Sequence, residues 1–146
     1  MPERHEPRTA SYLILRDDEE VLLMKRKKTG FKDSMYSLVA GHVDKGENFR
    51  QAMVREAEEE IGIELDIEDL DTTTVMHRRS GDAVYVDIFF VAEDWKGQPS
   101  NEEPEKCGDL KWFNRNDLPE NTIDYVEKVV EEMEEGMEYQ EVGWEE

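Results

Sequence analysis

"GHVDKGENFRQAMVREAEEEIGI", residues 41–63, decides how the chain is read. Phe49, Ala52, Met53, Ala57 and Ile61 recur at helical spacing and make one apolar stripe. Gly62 follows as a natural helix stop. Glu56, Glu59 and Glu60 stand three and four positions apart, on a face away from that stripe. Like charges at this spacing destabilise a helix. A divalent cation offsets the repulsion, because converging carboxylates are hard oxygen donors suited to Mg²⁺ or Mn²⁺. An acidic run is also an ordinary solvated face. The later "EEMEE", residues 131–135, reads that way.

Outward from this helix the pattern alternates. "TASYLILR" (9–16) and "VLLMKRK" (21–27) read as a hairpin across the charged turn "DDEE" (17–20). "YSLVAGHV" (36–43) is a short extended stretch. "TTTVMHRR" (72–79) and "AVYVDIFFVAE" (83–93) form a second strand pair joined by "SGD". Residues 93–109 form a long polar loop, and "LKWFN" (110–114) is a last strand. "TIDYVEKVVEEMEE" (122–135) is an amphipathic helix with Ile123, Val126, Val129, Val130 and Met133 on one face. The expectation is an α+β fold, a mixed sheet between helices in an α/β/α sandwich. One domain spans residues 1–146, with a core from about 8 to 135 and a loose acidic tail over 136–146.

The chain has 146 residues, 37% of them hydrophobic, enough to bury a core. The formal charge is −20. Gripping a nucleic-acid backbone needs a basic surface, so the charge argues against such a partner. Salt screens self-repulsion, so a salt-rich environment also suits this balance. The longest apolar run, "VYVDIFFVA" (84–92), is too short to cross a membrane. No secretory signal is visible in "MPERHEPRT". The single Cys107 rules out an intramolecular disulfide, and a reduced, cytoplasmic setting is expected.

The stretch 41–63 resembles, position by position, the signature of the Nudix hydrolase superfamily. That signature falls here on Gly41, Glu47, Arg55, Glu56, Ala57, Glu59, Glu60, Gly62 and Ile63. The resemblance implies a loop–helix–loop that presents Glu56, Glu59 and Glu60 to Mg²⁺, or Mn²⁺, with the Gly41 carbonyl as a further ligand. It implies that Arg55 pairs with an acidic side chain of the motif and holds the helix against the preceding loop; a bidentate guanidinium suits this. Many members read Trp-x-x-Pro-Gly-Gly before the helix. This chain has Val39 and Ala40 where proline and the first of those glycines are usual.

The resemblance further implies hydrolysis of a pyrophosphate bond in a nucleoside diphosphate linked to another group. The first expectation is a nucleoside triphosphate, oxidised forms included, cut to monophosphate and pyrophosphate. A nucleotide sugar or dinucleotide is the alternative, and the charge disfavours capped RNA. Glu59 or Glu60 can accept a proton. Glu105 is the expected base among Glu102, Glu103 and Glu105 of the acidic loop. With Arg55 these make the expected catalytic set.

For substrate, Arg26 and Lys28 of "KRKK" can meet phosphates or protect an edge strand. His77, Arg78 and Arg79 raise the same choice. His42 is either a support for the ligand set or simply exposed. Trp112 can stack on a base or fill the core, and Phe113, Phe31 and Tyr36 are weaker stacking candidates. Two other classes fit the same residues: a non-catalytic nucleotide-sensing module and an acidic partner-binding protein. Family members are often homodimers.

Overall fold

A computed structural model describes residues 3–4, 6–28, 30, 32–136 and 138–145. Strand β1 (Arg8–Asp17) is the centre of the sheet. It pairs antiparallel with β2 (Glu20–Arg26) near its end and with β4 (Val39–His42), and parallel with β6 (Ala83–Ala92). Strand β5 (Asp71–Ser80) lies antiparallel beyond β6. On the other side β2 carries the two-residue β3 (Tyr36–Ser37) and β7 (Cys107–Asn114). The result is a mixed sheet, as the sequence reading expects.

Ala10 through Leu15 is buried without interruption, the mark of a strand covered on both faces. Successive side chains then serve opposite cores. Leu13 and Leu15 join Met53, Ala57 and Ile61 of helix α1 (Phe49–Ile61). Tyr12 and Ile14 join Val126, Val129 and Val130 of helix α2 (Asp124–Glu132). The layers are therefore α1, sheet, α2.

Helix α1 begins and ends where local chemistry demands. Asn48 accepts from the Gln51 amide while the Gln51 side chain accepts from Asn48, a reciprocal cap. At the other end Gly62 takes a left-handed conformation, φ 69°, and its N–H reaches the Glu58 carbonyl at 3.0 Å.

One expectation fails. Residues 136–146 do not form a loose tail over the described part. Tyr139–Val142 is strand β8, parallel to β5, with Val75 opposite Tyr139. Gln140 is buried there. Trp144 donates its indole N–H to the His77 carbonyl at 2.9 Å. Gly143, φ 84°, passes so close to Arg79 that an added Cβ would sit 2.1 Å from the Arg79 carbonyl oxygen. Backbone pairing holds this segment, and four glutamates around it conceal that in the sequence. Among the described residues no helix is long and apolar enough to cross a membrane.

Candidate functional site

Helix α1 brings its glutamates to the end of β4. An added Cβ on Gly41 would fall 2.1 Å from the Glu56 carboxyl carbon, so the main chain at Gly41 abuts that carboxyl. Any side chain at 41 would push Glu56 away. This close approach accounts for glycine here even though its backbone is ordinary extended strand.

Arg55 ties the helix to the loop before it. Its Nε and Nη2 donate to the two Glu47 oxygens at 2.7 and 3.0 Å, a bidentate pair. Nη2 also reaches the His42 carbonyl at 3.1 Å. Nη1 donates to Glu56 at 2.8 Å and to Glu59 at 3.2 Å. Hydrogen bonds from Arg55 and from the Asp44 amide hold the Glu47 carboxyl below the usual carboxylate range.

Glu60 differs from its neighbours because it is buried. Burial pushes its carboxyl up, and a hydrogen bond to Glu56 and the charges of Glu56 and Glu103 push it further. Its Oε2 has no hydrogen-bond partner. An unpartnered, buried carboxylate oxygen beside a second carboxylate marks a place short of positive charge.

Glu56 and Glu60 open into a cleft of about 480 Å³ that Gly41, Arg26, Lys28, Glu103 and Lys106 also line. Glu59 does not line this cleft. It is exposed, accepts from Arg55, and stands beside Gln51 and Glu58. Among the described residues no three acidic, His or Cys side chains are gathered for a metal as they stand. The donor set nevertheless suits a hard divalent cation: two carboxylates, one with an orphaned oxygen, against a main chain stripped of its Cβ.

The acidic loop contributes a different residue from the expected one. The Ser100 amide reaches the Ile61 carbonyl at 2.9 Å, and the Glu102 amide reaches Glu60 at 3.1 Å. These bonds satisfy carbonyls at the end of α1. They turn Glu103 into the cleft, while Glu105 lies exposed outside it. Only the main-chain pairing distinguishes the loop glutamates, and nothing in "NEEPE" reveals it.

Arg26 and Lys28 line the cleft. Trp112 does not. It packs with the α1-side core, its ring 6.0 Å from that of Trp95, because position 112 on β7 faces that layer. Phe113 and Tyr36 pack edge to face, and the Tyr36 hydroxyl donates to Asp109 at 2.6 Å. Phe31 lies outside the described residues. His77 and Arg79 gather around Trp144. Arg78 is buried and bonded to Asp87 at 2.7 Å. His42 is exposed at the rim. Val39 is buried and pairs with Leu13, and Ala40 pairs with Tyr12. The positions where relatives carry proline and glycine are thus plain strand here.

Known proteins resemble this chain in sequence and fold. A family model described as NUDIX domain matches residues 5–133. The crystal structure of a MutT NUDIX hydrolase from Burkholderia pseudomallei is 28% identical with a TM-score of 0.80, covering 87% of this chain and 98% of that one. An ADP-ribose pyrophosphatase from Methanocaldococcus jannaschii is 29% identical over 119 residues, 82% of this chain and 68% of its own length. An NAD-capped RNA hydrolase from Vibrio atlanticus is 29% identical over 85% of this chain, and the chain spans about half, 49%, of that protein.

Proposed function

The chain belongs to the NUDIX family of hydrolases, and on that premise we propose that it cleaves the pyrophosphate linkage of a nucleoside diphosphate derivative with Mg²⁺ or Mn²⁺ as cofactor. The observation that carries this reading is the cleft in which Glu56, Glu60 and Gly41 meet Arg26 and Lys28. Glu56, Glu60 and the Gly41 carbonyl would hold the ion, with Glu59 of the same helix as a further carboxylate donor. When bound, such an ion screens the phosphate oxygens and makes water a better nucleophile.

The chain's own residues supply the rest. Arg26, Lys28 and Lys106 receive the phosphates. Water attacks one phosphorus, the bridging P–O bond breaks, and the second phosphate leaves. Glu103 takes the proton of the attacking water, in the role the sequence reading gives to Glu105. Arg55 holds Glu47 and Glu56 in register and touches no substrate. Replacing Glu103 with Gln keeps the loop's backbone bonds and is expected to lower kcat about 10²–10⁴-fold, the usual worth of a general base, with little change in KM. Steady-state kinetics on the two proteins checks this.

Nucleoside triphosphates, oxidised ones included, remain one substrate class. A second cavity of about 370 Å³ shares Gly41 and Arg26 with the cleft, and it favours a substrate with a full second moiety, such as a nucleotide sugar or dinucleotide. The likeness to an ADP-ribose pyrophosphatase supports the same choice. The test is product release with Mg²⁺ from a panel of nucleoside triphosphates, ADP-ribose, a nucleotide sugar, NADH and NADPH. Hydrolysis of one class above the rest identifies the substrate. No hydrolysis of any member would leave the sensing module as the better reading.

A further inference from the structure

The second cavity has a character of its own. The α2-side face of the sheet is filled by Tyr12, Phe89, Met76 and the apolar stripe of α2. Further along the same strands the filling stops. Ala10 and Ala40 are small, and the hollow above them is walled by Arg8, Arg78 and Tyr85. Strand register brings these together: Arg8 and Arg78 are both opposite Tyr85, on its two sides.

The aromatic rings here are already partly covered. The Arg78 guanidinium lies 4.1 Å from the Tyr85 ring centroid, and the Tyr12 ring stacks on Phe89 at 4.5 Å. Arg8 approaches Tyr85 as well, 5.9 Å from its centroid, and donates to its hydroxyl at 3.3 Å. One face of Tyr85 and one face of Tyr12 are thus occupied. What the hollow offers is positive charge. Arg8, Arg26 and Arg78 all line it; Asp87, wholly buried, already neutralises Arg78, so the hollow's charge comes from Arg8 and Arg26. In a chain of net charge −20 such a concentration runs against the background.

We infer that this hollow is a subsite for a phosphate group carried by the half of the substrate that lies beyond the cleaved linkage. The inference rests on the pyrophosphohydrolase reading and adds to it: the substrate carries a further phosphomonoester besides its pyrophosphate. Arg8 is the selecting residue, because it is exposed at the mouth and its guanidinium is a fork that matches a phosphate.

Three ligands without a pyrophosphate test this by calorimetry with Mg²⁺ present at fixed ionic strength. AMP is compared with adenosine 3′,5′-bisphosphate and its 2′,5′ isomer. One bisphosphate is expected to bind about tenfold tighter than AMP, the size of one charge-assisted hydrogen bond. Arg8→Ala is expected to remove most of that gap, and Arg8→Lys to restore part of it. Lys128→Ala, at an exposed lysine that lines neither cavity, controls for general charge and keeps the gap. Equal binding of AMP and both bisphosphates, or a gap untouched by Arg8→Ala, would overturn the inference. The substrate panel fails separately: bisphosphate selection without any hydrolysis would sink the enzymatic reading and leave the subsite standing.

Discussion

Glu60→Gln is expected to lower kcat about 10³-fold or more while leaving the metal-free protein as stable as the parent, or more so. The two effects have opposite signs for one reason. Burial and the neighbouring Glu56 push the Glu60 carboxyl up, so without a cation it carries a proton at neutral pH. Glutamine has the same shape, and its amide can donate to Glu56 in place of that proton, so the fold loses nothing. A glutamine cannot supply the anionic oxygen that the cleft presents to a cation. Losing a ligand that stabilises developing charge by about 4 kcal/mol corresponds to about 10³ in rate. Thermal melts without metal, beside kinetics with saturating Mg²⁺, separate the two. A variant that loses activity because it no longer folds would contradict this account of Glu60.

The largest stability effect is expected at Asp87. This residue is fully buried and accepts from Arg78 Nε at 2.7 Å and from Nη2 at 3.4 Å. The guanidinium lies between the Tyr85 and Tyr125 rings, 4.1 and 4.9 Å from their centroids. Tyr12 and Tyr125 close the group with a hydroxyl pair at 3.0 Å. Asp87→Ala removes the carboxylate and strands a buried cation. Breaking a buried pair from one side costs about 3–5 kcal/mol, which for a chain of this size lowers Tm by roughly 10 °C. The double variant Arg78→Met with Asp87→Leu is expected to recover most of the loss, since apolar replacement of a whole pair is often neutral. A single variant that melts with the parent would show that the cation finds solvent, and that the region is not dry.

Local chemistry made much of this molecule readable in advance. Helix α1 declares itself by its stripe and by Gly62, because 3.6-residue periodicity and a left-handed stop are both properties of neighbours in sequence. The motif places Glu56, Glu60 and Gly41 together for the same reason: helix and preceding strand are joined by a short loop. Features that depend on distant pairing were not readable. Strand β8 is four residues long in an acidic stretch, and pairing with the edge of β5 makes it a strand. Trp112 faces the α1 layer because β7 pairs with β2 in a particular register, Leu22 opposite Trp112. Glu103 rather than Glu105 enters the cleft because loop amides bond the end of α1. The basic hollow is assembled from five strands, so Arg8, Arg26, Ala40, Arg78 and Tyr85 give no joint signal in the sequence.

A direct count of Mn²⁺ tests the central claim, that the Gly41–Glu56–Glu60 cleft holds a divalent ion. Free Mn²⁺ is followed by electron paramagnetic resonance as it is titrated into the parent protein and into Glu56→Gln and Glu60→Gln at one ionic strength. The parent is expected to show a saturable site that each variant weakens by at least about 10–100-fold, the cost of disturbing even the groups that support a metal's ligands. A parent that takes up Mn²⁺ without saturation, or variants that bind as tightly as the parent, would contradict it.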